Sequence, residues 1–429
     1  MNLLSTTRVL VIGYVWPEPR SSAASGHVMQ LIDCFLEQGW QVTFASAANE
    51  GEHKADLATR GIAEATIALN HDSFDTFVSA LQPDVVLFDQ FLMEEQFGWR
   101  VEKHCPHALR VLETSDLQSL RHARHQAVKE WLGGKPDADL TECFNMPREQ
   151  LFNRMAASDL ALREIAAIHR SDLSLMVSDV EIELLTECFS VPAAQLHFVP
   201  LLVRDVPEHV SPFKDRAHFI TIGNFRHAPN WDAVLWLKNT VWPLIRAQLP
   251  TAQVHVYGAY TPPKAASLHN AAQGFHIMNW AEDALEVMSA ARVSLAPLRF
   301  GAGIKGKIID AMLCGTPTVT TPIGAEAMHG ELAFPGAVAC DAQALADAAV
   351  SFYTDAERWG QAQRDGRQLL LARYDHARHC QALVARILAL REGLATHRLA
   401  NFTGAMLRHH QHKSTQYMSQ WIEAKNKHG

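Results

Sequence analysis

The chain has 429 residues, of which 48% are hydrophobic and 20% charged, and a formal net charge of −8. This balance excludes a disordered chain and a general nucleic-acid binder, and the length exceeds a single core of about 250–300 residues, so two domains are expected. The seven cysteines are scattered and form no C-x-x-C pair, which points to reduced thiols in a cytoplasmic protein and supplies no metal framework. Met1 to Arg8 lacks a small-residue cleavage site, and no apolar run is long enough to span a membrane.

Strands and helices alternate along the chain. Strands are expected at 8–13, 41–45, 63–67, 84–89, 109–113, 172–177 and 197–202, with a helix from Ser25, as its N-cap, to Gln38. Longer helices are expected at 117–132 and 148–170, and Ser178-Asp-Val-Glu181 reads as a capping box. Residues 203–216, with two prolines and many charges, read as a linker. A second alternation follows, with strands at 218–222, 252–257, 274–278, 292–297, 316–320 and 337–340 and helices from about 341 to 400. The fold class is therefore α/β, as two doubly wound parallel sheets facing a cleft. The expected division is 1–202, the linker 203–216, 217–395, and a tail or helix at 396–429.

The most informative stretch is Arg299-Phe-Gly-Ala-Gly-Ile-Lys-Gly-Lys-Ile-Ile-Asp310, three glycines and two lysines where a strand feeds a helix. Backbone N–H groups at such a helix start face a bound anion, and Lys305 and Lys307 supply the countercharge, so the stretch reads as a diphosphate cradle. Two better-known motifs compete. Gly301-x-Gly303-x-x-Gly306, with Glu326 further on, fits a dinucleotide fingerprint but lies late in its domain rather than in the first βα turn. Gly301-x-x-x-x-Gly306-Lys307 fits most of a Walker A loop, but Ile308 stands where a hydroxyl must hold magnesium. A turn that only packs a helix on a sheet leaves both lysines unexplained.

Residues 300–328, together with Gly223-Asn-Phe-Arg-His-Ala-Pro-Asn230, Val256-Tyr-Gly258 and the 291–297 strand, resemble the donor domain of retaining family-4 glycosyltransferases with the GT-B fold. The resemblance covers about residues 8–395, the N-terminal half only in pattern. It implies transfer of a sugar from a nucleotide-diphosphate sugar to a glycan, lipid or protein acceptor, with no metal or other cofactor required. It implies a catalytic set of Lys305, Lys307 and Asp310, the lysines on the diphosphate and Asp310 on the ribose hydroxyls. The first acid of the family's acid-x7-acid motif is here Ala302, so the backbone of Ala302, Gly303 and Ile304 is expected to read the sugar. Gly223, Arg226 and Glu326 complete the expected donor site on this side, and Gly26 and His27, in the first turn of their helix, on the other.

Asp89, Glu94, Asp116 and Arg121 are candidates for acceptor contacts. Asp137-Ala-Asp139 has a D-x-D form but reads as a solvated loop, and His409-His410-Gln-His412 as an adventitious metal binder. The tail 396–429, with five Lys or Arg against one Glu and a stripe of Tyr417, Met418, Trp421 and Ile422, is expected to dock back on the protein, or to contact an anionic membrane face or a partner. Two other functions fit the same architecture: a sugar-nucleotide epimerase, and a nucleotide-sugar-binding scaffold without turnover.

Overall fold

The computed structural model describes residues 6–133 and 140–409, with Tyr417 and Trp421. Asp137, Asp139, His410, His412, Met418 and Ile422 lie outside the described residues. The first half forms a seven-stranded parallel sheet from β1 (Arg8–Gly13), β2 (Gln41–Ser46), β3 (Ala63–Thr66), β4 (Val85–Asp89), β5 (Leu109–Glu113), β6 (Leu173–Met176) and β7 (Leu196–Phe198). Its order is β3-β2-β1-β4-β5-β6-β7. The second half forms a six-stranded parallel sheet from β8 (Ala217–Ile222), β9 (Val254–Tyr257), β10 (Phe275–Asn279), β11 (Ala291–Ala296), β12 (Thr318–Thr320) and β13 (Gly336–Val338), in the order β10-β9-β8-β11-β12-β13. The strand order of each sheet reverses once, between β1 and β4 and between β8 and β11. Such reversals open a crevice beyond the carboxyl ends of the strands.

Alternation along β1 shows why the first sheet is covered on both faces. Val9 and Val11 pack with Leu31 and Phe35 of the Ala23–Glu37 helix, while Leu10 and Ile12 pack on the other face with Phe88 and Phe97. The second core gathers Phe219, Trp242, Val254, Phe275 and Phe352. Between the halves, Leu201 packs with Ile308, Ile309, Met312 and Tyr374.

Four local expectations need correction. The first helix begins at Ala23, after Ser22 in extended conformation whose side chain makes no capping bond, so Ser25 is inside it. The helix expected over 148–170 is two, Arg148–Ala156 and Asp159–Arg170, because the Ser158 hydroxyl accepts the Ala161 N–H at 3.2 Å and restarts the turn. The linker ends in the second core: Arg216 is buried and donates to Thr316 Oγ1 at 2.6 Å. Lastly, Cys34 and Cys380 are joined as a disulfide, while the other five cysteines are free, so the expectation of seven reduced thiols fails for this pair.

The chain crosses between the halves twice, and the second crossing departs from the expected boundary at 395. The His376–Glu392 helix lies on the first sheet, where Leu383, Ile387 and Leu390 join the core around Val9 and Phe35. Leu394–Ala400 and Phe402–Arg408 follow it there, held by Arg398 to Asp172 at 2.7 and 2.8 Å and by Asn401 to the His169 carbonyl at 2.7 Å. The two crossings touch: the Val203 N–H donates to the Tyr374 carbonyl at 2.8 Å, and His376 N–H to the Val203 carbonyl at 3.0 Å. No helix among the described residues is long and apolar enough to cross a membrane.

Candidate functional site

The cleft between the sheets encloses about 1160 Å³ and is lined from both halves. Its floor is the loop after β11. Gly303 sits there at φ +62°, and a Cβ on it would lie 2.9 Å from Asp116 Cβ and 3.0 Å from the Ser115 carbonyl, so only glycine lets the two halves approach this closely. Gly306 opens the Gly306–Leu313 helix, and a Cβ there would meet Ala23 Cβ at 2.5 Å. The amino ends of the Ala23–Glu37 and Gly306–Leu313 helices therefore converge on one spot, where both macrodipoles favour an anion.

Both lysines reach this spot, and both are costly to keep charged there. The Lys305 amine donates to the Gly303 carbonyl at 2.7 Å and the Ala302 carbonyl at 3.2 Å. Burial pulls it down to about 8, against the opposing charge of Glu326. The Lys307 amine donates to Asn230 Oδ1 at 2.8 Å. Burial, reinforced by the Lys305 charge and opposed by Asp310, pulls it to about 8 as well. Asp310, one turn along the helix and also on the cleft wall, is pushed up to about 7 by burial, with Lys307 opposing. Other carboxylates facing these ammonium groups are already engaged, Glu326 by Arg124 and Asp116 by Arg121, so a diphosphate would supply negative charge that the two amines lack.

Gly223 closes in on the same pair. A Cβ on it would lie 2.8 Å from the Lys307 amine and 2.6 Å from Asn230 Cγ, so its lack of a side chain makes room for both. Arg226 lines the cleft and stacks 3.5 Å from the centroid of the Tyr260 ring, whose hydroxyl donates to Glu18 of the other half at 2.7 Å. Ile304 lines it too. Ala302 is on the cleft wall but is also buried among core residues of the first half. The expectation that amides of 302–304 read a sugar fails at Gly303, whose N–H already donates to Glu181 Oε1 at 2.6 Å.

On the opposite wall the helix starts at Ala23, so Gly26 closes its first turn, its N–H donating to the Ser22 carbonyl at 3.0 Å, and His27 opens the second. His27 is buried, not solvent-facing, with Nδ1 2.9 Å from Glu113 Oε1, while the Ser115 hydroxyl donates to Glu113 Oε2 at 2.7 Å. Asp116 and Arg121 line the cleft as an ion pair. Asp89 lies beneath the wall instead, accepting the Tyr14 N–H at 3.3 Å, and burial plus the nearby Glu113 charge push it up to about 7. Glu94 faces away, held by Arg170 at 3.0 Å between two helices. Neither is placed to meet an acceptor.

Glu326 needs correction as well. It is gripped by Arg124 of the first half at 2.6 and 2.7 Å, and Arg124 also donates to the Gly301 carbonyl at 2.9 Å. Expected in the donor site, it is instead a clamp on the glycine loop and does not line the cleft. Asn230, His227 and Arg124 were not singled out from the sequence as site residues, and Glu181 only as part of a capping box. His227, on the cleft wall near Arg121 and both lysines, is pulled down to about 4 by burial and then by those charges. Asn230 carried a weak signal, a side-chain amide in the first turn of the helix after Gly223. Arg124 and Glu181 carried none, because their partners lie 202 and 122 residues away.

Residues 216–355 match the family model of glycosyl transferases group 1. A search of curated proteins by sequence finds no match. Among solved structures the fold is similar to that of sucrose-phosphate synthase from Thermosynechococcus elongatus, at 15% identity over 91% of this chain and 100% of that one, with a TM-score of 0.60. It is similar to HepE from Anabaena in complex with UDP and glucose, at 13% identity over 90% and 100%, TM-score 0.62. A glycosyltransferase from Rickettsia africae gives 10% identity over 89% and 98%, TM-score 0.62. The two facing parallel-sheet domains are thus the GT-B architecture.

Proposed function

We propose that the protein transfers a sugar from a nucleoside-diphosphate sugar to a hydroxyl-bearing acceptor. The observation that carries this reading is the convergence of Lys305, Lys307 and the Gly306–Leu313 helix start, all inside the segment that matches glycosyl transferases group 1, with the amino end of the Ala23–Glu37 helix across the cleft. That match favours transfer over epimerisation. In this reading the two ammonium groups hold the diphosphate and take up the charge that grows on it as the glycosidic bond breaks, which is stabilisation placed where charge develops. Before the donor binds, the Lys305 amine is occupied by its own loop carbonyls, so it exchanges two weak partners for one anion. Asp310 accepts from the ribose hydroxyls, which its carboxyl oxygens do whether or not it is ionised. HepE, similar in fold, is seen with UDP, which supports a uridine or related nucleotide here. Retention of the anomeric configuration belongs to the same proposal and rests on the likeness of the 300–328 segment to retaining enzymes.

A panel of nucleotide sugars tests this. A selective donor raises the melting temperature by mass action, and nucleoside diphosphate is then released only with an acceptor present. Isomerised donor without acceptor identifies an epimerase, and binding without conversion a scaffold; either result overturns the proposal.

A further inference from the structure

Away from the cleft, where the two crossings touch, four side chains with metal-binding chemistry meet. The Ala23–Glu37 helix presents Cys34 and Glu37 three residues apart, and the His376–Glu392 helix presents His376 and Cys380 four apart. Ligand atoms of Cys34, His376 and Cys380 lie within 4.8 Å of one another, and all three residues are buried. Glu37 closes the group, with its carboxylate 3.1 Å from His376 Nε2 and 3.7 Å from Cys380 Sγ. A second observation points to a ligand: His376 Nδ1 is buried and has no hydrogen-bond partner among the described residues. An imidazole, a carboxylate and two sulfurs, delivered by facing helices at i, i+3 and i, i+4 spacing, form a borderline-soft four-ligand set.

We infer that Cys34, Glu37, His376 and Cys380 form a zinc-class metal site once the cysteine pair is reduced. Two small thiols of the glutathione type reduce the bond, giving two protein thiols and one oxidised thiol dimer. The incoming divalent cation then displaces both thiol protons, and two cysteine thiolates, the His376 imidazole and the Glu37 carboxylate bind it. Magnesium and calcium, which prefer oxygen ligands throughout, are poor occupants. The location gives the site a consequence. Arg204, the first residue past the Val203 bridge, pairs with Glu37, so a cation here fastens both crossings to the first half.

The test uses the full chain, reduced with a phosphine under argon, loaded with zinc and dialysed. Metal analysis is expected to find stoichiometric zinc that raises the melting temperature. Replacing zinc by cobalt is expected to give a thiolate-to-cobalt charge-transfer band in the near ultraviolet. Cys34→Ser, Cys380→Ser and His376→Gln should each lose the band. An Ala-for-His variant at positions 409, 410 and 412 should keep it. Should a cysteine variant misfold, the cobalt spectrum of the unaltered chain still decides, since absence of a thiolate band there sinks the site. Zinc that survives Cys34→Ser, zinc that disappears with the histidine tail, and reduced protein that takes up none each overturn the inference; the first two identify an adventitious ion only.

Discussion

The Glu181 carboxylate accepts the Gly303 N–H at 2.6 Å and the Leu117 N–H at 3.3 Å, so a side chain from the first half holds the glycine loop of the second. Burial, with Asp116 adding to it and the Gly303 N–H opposing, pushes Glu181 up to about 8. Its folded pKa is thus raised above the ordinary 4.5. Its contribution to stability is fully present below about pH 4.5 and is lost as pH rises through about 8. Glu181→Gln retains an acceptor for Gly303 and does not titrate. The melting-temperature difference between this variant and the parent should therefore grow in the variant's favour from pH 5 to pH 8. Glu181→Ala, which leaves two buried N–H groups without this acceptor, is expected to cost about 1–3 kcal/mol in denaturant unfolding.

Lys305→Ala and Lys307→Ala should each weaken nucleoside-diphosphate binding by about 1–3 kcal/mol. Unchanged affinity in both would remove the basis for the diphosphate site. Both amines sit at about 8 in the free protein, and an arriving diphosphate raises them. Affinity should therefore hold below about pH 8 and fall above it, with proton uptake on binding that calorimetry in buffers of different ionisation enthalpy detects.

Arg124 and Glu326 form a further fastening between the halves, beside those from Glu181 to Gly303 and from Tyr260 to Glu18. Arg124→Ala and Glu326→Ala each strand a mostly buried charge, so each single variant should cost more than the double variant implies. A double-mutant cycle on unfolding free energy should give a coupling of about 1–3 kcal/mol. Additive losses would show that the pair is not coupled across the interface.

Ala302→Glu places a carboxylate where the resemblance to family-4 enzymes leads one to expect an acid. Here the position is buried against the first-half core, and Glu181 already bonds the next residue. The expected outcome is a lower melting temperature with no gain in donor affinity. A gain in both turnover and affinity would show that the cleft accepts the acid after all.

Much of the fold was legible because the apolar runs obey simple periodicity. All thirteen strands appear within two or three residues at either end of their expected places, except β7, which ends at Phe198, since Pro200 has no N–H to continue the ladder. Boundaries failed where a single hydroxyl decides. Ser158 caps a new helix in the middle of a periodic run, while Ser25, with the same chemistry, is bypassed because the turn has already begun at Ala23. The capping box at Ser178 is half real: its hydroxyl accepts the Glu181 N–H at 3.2 Å, but the Glu181 side chain leaves for the other half of the molecule.

The glycine loop was legible because all its chemistry is local. Its supports were not, because an ion pair or disulfide between residues hundreds apart leaves no periodic trace. Cys34 and Cys380, separated by 346 positions, are an instance. Charged residues after a strand, such as Asp89 and Glu94, look alike in sequence whether they face a cleft or brace a helix from behind.

The return of the His376–Glu392 helix to the first sheet alters how this molecule can be taken apart. Its second half is an insertion, entering at Val203 and leaving at Tyr374, rather than a terminal block. A chain cut after residue 355, the end of the matched segment, would strip Leu383, Ile387 and Leu390 from the first core and leave Phe35 and Val9 facing water. Chimeras that exchange donor specificity should therefore swap residues 204–374 as a cassette between two short, adjacent seams.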